Sequence, residues 1–175
     1  MIKILGIRIT DRIKEAGRTQ AVLSKHSSII TTRLGFHELT NEQCSREAYI
    51  LLHLSGTNQI MGKLVSDLKE IGGTELRDMT FEDGKPFINF HSEEGALRIL
   101  GLLVDKKDHE AVMALQKSFT AYGCVIRSRL GVNEEFFGNP AGLIILELMG
   151  DEIQMDLFEA SLQKIPKVHF RKMTF

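Results

Sequence analysis

Residues 30–39 read ITTRLGFHEL, and residues 126–135 read IRSRLGVNEE. An Arg-Leu-Gly tripeptide is ordinary, so the neighbourhoods decide whether the likeness means anything. Upstream, ILGIRITD (Ile4 to Asp11) is echoed by ILGLLVD (Ile99 to Asp105). Downstream, YILLHLSG (Tyr49 to Gly56) is echoed by LIILELMG (Leu143 to Gly150). Both copies then run to one ending, Arg77, Met79, Thr80, Phe81 in the first and Arg171, Met173, Thr174, Phe175 in the second. Matching segments stay in order while their offset drifts only between 94 and 96 residues. Two long copies are too few for a solenoid, so the pattern is a tandem duplication of one small domain.

Each copy reads as βαββαβ. In the first, KILGIRIT alternates and is β-branched, as a strand should be. Asp11 is placed to cap a helix running to about His26, with Ile13, Val22 and Leu23 as its buried positions and Gly17 weakening its start. SIITTRLGF and AYILLHL are strands around a polar loop containing Cys44. Ile60, Leu64, Leu68 and Ile71 recur at helical spacing until Gly72-Gly73 stops the helix, and TELRDMTF closes as a strand. The second copy gives strands at Leu97–Val104, Cys124–Val132, Gly142–Met149 and Lys167–Phe175, with helices at Lys107–Tyr122 and Asp151–Ile165. Two split β-α-β crossovers make a ferredoxin-like sandwich, an antiparallel four-stranded sheet with both helices on one face. The fold class is α+β, with domains over residues 1–82 and 97–175. The linker over 83–96 is rich in acidic and turn residues, and Phe87, Ile88 and Phe90 predict that it packs against one domain.

Strand alternation assigns faces. It places Ile30, Thr32, Leu34 and Phe36 under the helices, with Ile126, Ser128, Leu130 and Val132 as counterparts. Arg33, Gly35 and His37 then fall on the opposite face, with Arg129, Gly131 and Asn133. Ile4, Tyr49, Leu51, Ile99, Leu143 and Ile145 share that helix-free face, which is too apolar to stay wet. Its expected cover is the other unit or a second chain. If Val132 pairs near Gly142, Arg127 faces Glu147 across the strands and forms an ion pair that Thr31 and His53 do not reproduce.

The 175 residues are 43% hydrophobic and 26% charged with a net charge of −1, an ordinary globular balance that supplies no basic face for nucleic acid. Two cysteines in non-equivalent places point to a reducing compartment. No apolar run approaches a membrane span and no signal-peptide pattern opens the chain, so the expectation is cytoplasmic.

The strand followed by Asp11 and Arg12, the Arg33-Leu34-Gly35 stretch, the apolar third strand and the terminal Met79-x-Phe81 together resemble the iron-only hydrogenase system regulator family. Those are ACT-like domains, related in fold to the C-terminal domain of nickel-responsive repressors, and each half of this chain resembles one of them. The resemblance implies oligomeric, non-catalytic regulatory domains that bind small effectors or metals where subunits meet.

The residues themselves narrow the chemistry. Arg33 and Arg129 are the best anchors for an anion, because a guanidinium grips a carboxylate bidentately. Gly35 and Gly131 allow close approach of a ligand to the backbone, or mark a strand bend or bulge. Asp11 and Arg12 complete the candidate ligand set at the turn after the first strand. His37 and His53 are the metal candidates, yet on one hairpin they sit roughly 20 Å apart and meet only in an oligomer. No CxxC pair, phosphate loop or convergent acid, base or nucleophile is present. Only Tyr49 offers a base-stacking aromatic on a central strand. The reading is a non-catalytic, homodimeric regulator without a cofactor. It binds a small effector (an amino acid or other anionic metabolite) at domain or subunit interfaces, with no nucleic-acid or membrane partner. Its alternatives are a metal-responsive regulator, an interaction module without a ligand, and, last, a dimeric α+β-barrel enzyme.

Overall fold

The computed structural model describes residues 2–36, 45–82, 97–136 and 138–175. The chain divides into two compact units, Ile2–Thr80 and Phe81–Phe175. His37, Cys44 and the linker residues Phe87, Ile88 and Phe90 lie outside the described residues.

The N-terminal unit runs β1 (Ile2–Ile9), α1 (Arg12–Lys25), β2 (Ile30–Phe36), β3 (Ala48–Leu54), α2 (Asn58–Lys69) and β4 (Thr74–Phe81). The C-terminal unit repeats it as β5 (Arg98–Asp105), α3 (His109–Ala121), β6 (Ile126–Phe136), β7 (Asn139–Leu148), α4 (Glu152–Gln163) and β8 (Val168–Thr174). The sheets are ordered β2-β3-β1-β4 and β6-β7-β5-β8, the ferredoxin-like order twice over. Short polar side chains start all four helices. Asp11, Thr57, Asp108 and Asp151 each accept a backbone N–H three residues on, and such a cap contributes about 1 kcal/mol. Gly17 does not delay α1, which begins directly after Asp11.

Two cores form under the helices. In the N-terminal unit Leu5, Ile7 and Ile9 of β1 and Ile50, Leu52 and Leu54 of β3 meet Leu23, Leu64 and Leu68. In the other, Leu100, Leu102 and Val104 with Leu146 and Leu148 meet Leu115, Phe119, Phe158 and Leu162. On the opposite sheet faces Ile4, Leu51, Ile99, Leu143 and Ile145 are buried too.

Three local expectations are corrected. Ile13 is 77% exposed, because the buried stripe of α1 is Glu15, Thr19 and Leu23, four residues apart. The hairpin of the C-terminal unit continues through residues expected to be a loop, with Glu134 opposite Ala141 and Phe136 opposite Asn139. Gly138 turns it at a φ of 76°, a conformation glycine adopts freely.

The third correction moves the site. β2 pairs Ile30 with Leu54 but Thr32 with His53, so Thr31 is an extra residue and the strand bulges there. Beyond the bulge the side-chain phase is inverted. Arg33 lies opposite Leu52 and Gly35 opposite Ile50, both core-facing residues, so Arg33 and Gly35 belong to the helix side. Thr32, Leu34 and Phe36 go to the other face, opposite His53, Leu51 and Tyr49. β6 repeats the device at Arg127, which sends Arg129 and Gly131 to the helix side against Leu146 and Ile144. One inserted residue reverses everything downstream of it.

Candidate functional site

The inversion brings Arg33 and Gly35 up against α1. Between that helix and the β2–β3 end of the sheet lies a cleft of about 270 Å³. Arg12, Ala16 and Thr19 border it from α1, Arg33 and Gly35 from β2, and Ile9 and Ile50 contribute to its floor. β2 is the edge strand of its sheet among the described residues.

Both guanidiniums are held by neutral groups. Arg12 Nε donates to the carbonyl oxygen of Ser45 (2.9 Å), tying the start of α1 to the segment entering β3. Arg33 Nη1 donates to Gln20 Oε1, about two turns along α1 from Arg12 (2.6 Å). Both residues border the cleft, and neither has a carboxylate partner among the described residues. Thr19 adds a third polar group. Its side chain is 1% exposed and its hydroxyl has no hydrogen-bond partner among the described residues. A buried hydroxyl left unsatisfied costs about 1–3 kcal/mol, which a bound acceptor would recover. Around these groups the lining is apolar, and Gly35 keeps the strand side open: a Cβ there would meet nothing nearer than the Tyr49 carbonyl oxygen at 3.9 Å.

Asp11 does other work. It caps α1 and takes an ion pair from Arg46 (2.6 Å), and the Arg46 hydrogen bond holds its carboxyl below the usual range. It does not border the cleft. Nearby, on the helix-free face, Glu47 accepts from Arg8 (2.8 Å) and from the Tyr49 hydroxyl (3.2 Å). The Arg8 bond depresses the Glu47 carboxyl, and the Glu47 bond raises the Arg8 guanidinium.

The C-terminal counterparts sit differently. Arg129 lies over the ring of Phe119, with its guanidinium carbon 4.5 Å from the centroid. A Cβ on Gly131 would meet nothing within 4 Å. Arg127, the bulge residue, stands 3.4 Å from Glu147 as an ion pair, although Glu147 itself lies opposite Ser128 rather than Arg127. The 3.4 Å separation lacks hydrogen-bond geometry, and Glu147 Oε1 is without a hydrogen-bond partner among the described residues.

His53 is buried, with its Nδ1 2.7 Å from the hydroxyl of Thr31, the bulge residue of β2. No group of three or more His, Cys, Asp or Glu able to hold a metal occurs among the described residues. Among them, too, no helix is long and apolar enough to cross a membrane. Thr19 and Ala16 were not foreseen. The signal was the α1 periodicity itself, which puts residues 15, 19 and 23 on one stripe whatever their polarity.

No protein-family model matches the chain, and no curated protein matches it. An uncharacterized protein from Thermotoga maritima is similar over 45% of this chain and 92% of its own, at 28% identity and a TM-score of 0.39. The acetolactate synthase small subunit from the same organism matches all of this chain and 98% of its own, at 10% identity and a TM-score of 0.38. A chlorite dismutase variant from Candidatus Nitrospira defluvii matches 99% of this chain and 91% of its own, at 11% identity and a TM-score of 0.37. At these values the likenesses carry no functional argument, and the functional reading rests on the cleft.

Proposed function

We propose that this chain is a non-catalytic regulatory protein that senses a small anionic metabolite, a carboxylate with a short apolar body, in the cleft of its N-terminal unit. The observation that carries the reading is the convergence of Arg12, Arg33 and the unpartnered Thr19 hydroxyl on one partly apolar cleft with no carboxylate among its lining. Arg33 and Arg12, which both border the cleft, supply the charge that draws the anion; an Arg–carboxylate pair is a charge-assisted bond about twice as strong as a neutral one. Thr19 donates to a further oxygen, and Ile9, Ala16 and Ile50 take the apolar body. Gly35 is the residue whose missing side chain leaves room. Arg129 and Gly131 belong to the duplicated framework, and Asp11 to the cap that fixes Arg12.

The family resemblance supports self-association as a homodimer, which light scattering tests. The ligand reading is tested by a thermal-shift screen of carboxylates, amino acids, nucleotides and divalent cations. A ligand that binds only the folded chain stabilises it in proportion to the logarithm of its concentration over Kd. Small carboxylates should raise the melting temperature. A screen in which only divalent cations do so favours a metal-responsive regulator instead.

A further inference from the structure

We infer that the duplication has divided the two units by role: the chain binds one anion per copy, in the N-terminal unit, and the matching place in the C-terminal unit has lost the groups that would hold one. The inference rests on the cleft being the effector site, and it follows from comparing the units position by position.

Both first helices end alike, at the C-caps His26 and Tyr122, and run through a one-turn 3₁₀ segment into strands that start at Ile30 and Ile126. That common end fixes the correspondence. Glu15, Thr19 and Leu23 are the buried positions of α1, and Ala111, Leu115 and Phe119 are those of α3. Every polar member of the first set has become apolar in the second.

The cleft positions change in the same direction. Arg129 and Gly131 survive as equivalents of Arg33 and Gly35, but Thr19 is replaced by Leu115 and Ala16 by Val112. Leu115 is 1% exposed and belongs to the C-terminal core, and Val112 packs against that core. Leu23 is replaced by Phe119, whose ring takes the Arg129 guanidinium at 4.5 Å. An arginine over an aromatic face is already stabilised and partly desolvated, so it has less to gain from an anion than one hydrogen-bonded to a neutral amide. In the same register Arg12, the second cation, has Asp108, the N-cap of α3, in its place. The C-terminal unit therefore lacks the hydroxyl, the second guanidinium and the small residue, and its remaining arginine is engaged.

Thr19 also carries a cost in the free protein. Thr19 keeps an unsatisfied hydroxyl where leucine fits the same fold, as Leu115 demonstrates one domain later. Glu15, one turn earlier on the same stripe, also keeps an unsatisfied oxygen, and of the two only Thr19 borders the cleft.

The test titrates the full chain, uniformly labelled for NMR, with isovalerate and separately with inorganic phosphate. It is repeated with Gly35→Val and Gly131→Val. Both glycines lie in extended edge strands where a β-branched residue folds well, and no atom lies closer than 3.9 Å to either added Cβ. Isovalerate should move the amide resonances of Ala16, Thr19, Arg33 and Gly35 and leave those of Val112, Leu115, Arg129 and Gly131 in place. Gly35→Val should weaken it at least about tenfold by filling the cleft, and Gly131→Val should change it less than about twofold. Shifts in both units, or equal losses from both valines, overturn the division of roles while leaving an anion site standing. No shifts with isovalerate overturn the site itself. Shifts with phosphate alone overturn the carboxylate assignment.

Discussion

Arg129 holds its guanidinium carbon 4.5 Å from the centroid of Phe119, whereas Arg33, at the same place in the N-terminal unit, reaches the side-chain amide of Gln20 at 2.6 Å. The difference lies in α1 and α3, where Leu23 and Phe119 occupy equivalent buried positions. Phe119→Leu, which gives the C-terminal unit the N-terminal residue, removes both the ring contact and part of the core volume. It should cost about 1–3 kcal/mol in urea denaturation. A double-mutant cycle with Arg129→Gln isolates the ring contact and should return a coupling of roughly 0.5–1 kcal/mol. Zero coupling would mean that the guanidinium merely lies near the ring.

Thr19→Val keeps the shape of the side chain and removes a hydroxyl with no hydrogen-bond partner among the described residues. Burying that hydroxyl is unfavourable without an acceptor, so the free protein should become more stable by about 1 kcal/mol. Isovalerate binding should weaken at the same time. Stability gained with affinity lost is the pattern of a residue kept for a ligand. A destabilised variant with unchanged affinity would assign Thr19 to the fold instead.

Acid should destabilise the N-terminal unit through two pairs. Asp67 accepts from Lys25 and lies 2.7 Å from His26, and the Lys25 bond, then the His26 bond, holds its carboxyl below the ordinary range. The Arg8 bond does the same to Glu47. A carboxyl whose folded pKa is depressed contributes stability above its unfolded pKa, near pH 4, and loses it as pH falls through the folded value. The urea midpoint should therefore hold from pH 7 to about 5 and then decline below about pH 4. Asp67→Asn should lower the midpoint at pH 7 and flatten that decline. Because Lys25 is 67% exposed, added salt should shrink the difference. A variant that declines with acid as steeply as the parent would remove Asp67 from the account.

The element order, the Asp11 cap and the double sheet were legible because capping residues and apolar periods are local signals. The faces of β2 and β6 were not. Alternation has a period of two, so the single extra residue at Thr31 or Arg127 moves every later side chain across the sheet, and a bulge leaves no local mark in ITTRLGF or IRSRLGV. Arg33 and Gly35 were found by their repetition in Arg129 and Gly131. Thr19 and Ala16 were invisible for the converse reason, since the C-terminal unit has Leu115 and Val112 there. Repetition reports the shared framework, and the cleft is built partly from what is not shared. Counting apolar residues in α1 favoured Ile13, while the buried stripe carries Glu15 and Thr19.

The most direct measurement is the dissociation constant of isovalerate for the full chain beside that of Arg33→Gln. Glutamine keeps a hydrogen-bonding side chain and removes the charge, and Arg33 lies outside both cores, so folding should be retained. A hydrogen bond to a charged group contributes about 1.5–3 kcal/mol, so the constant should rise roughly ten- to a hundred-fold. The same substitution at Arg129 should leave it unchanged. Equal affinity in Arg33→Gln and the parent chain would contradict the anion cleft outright.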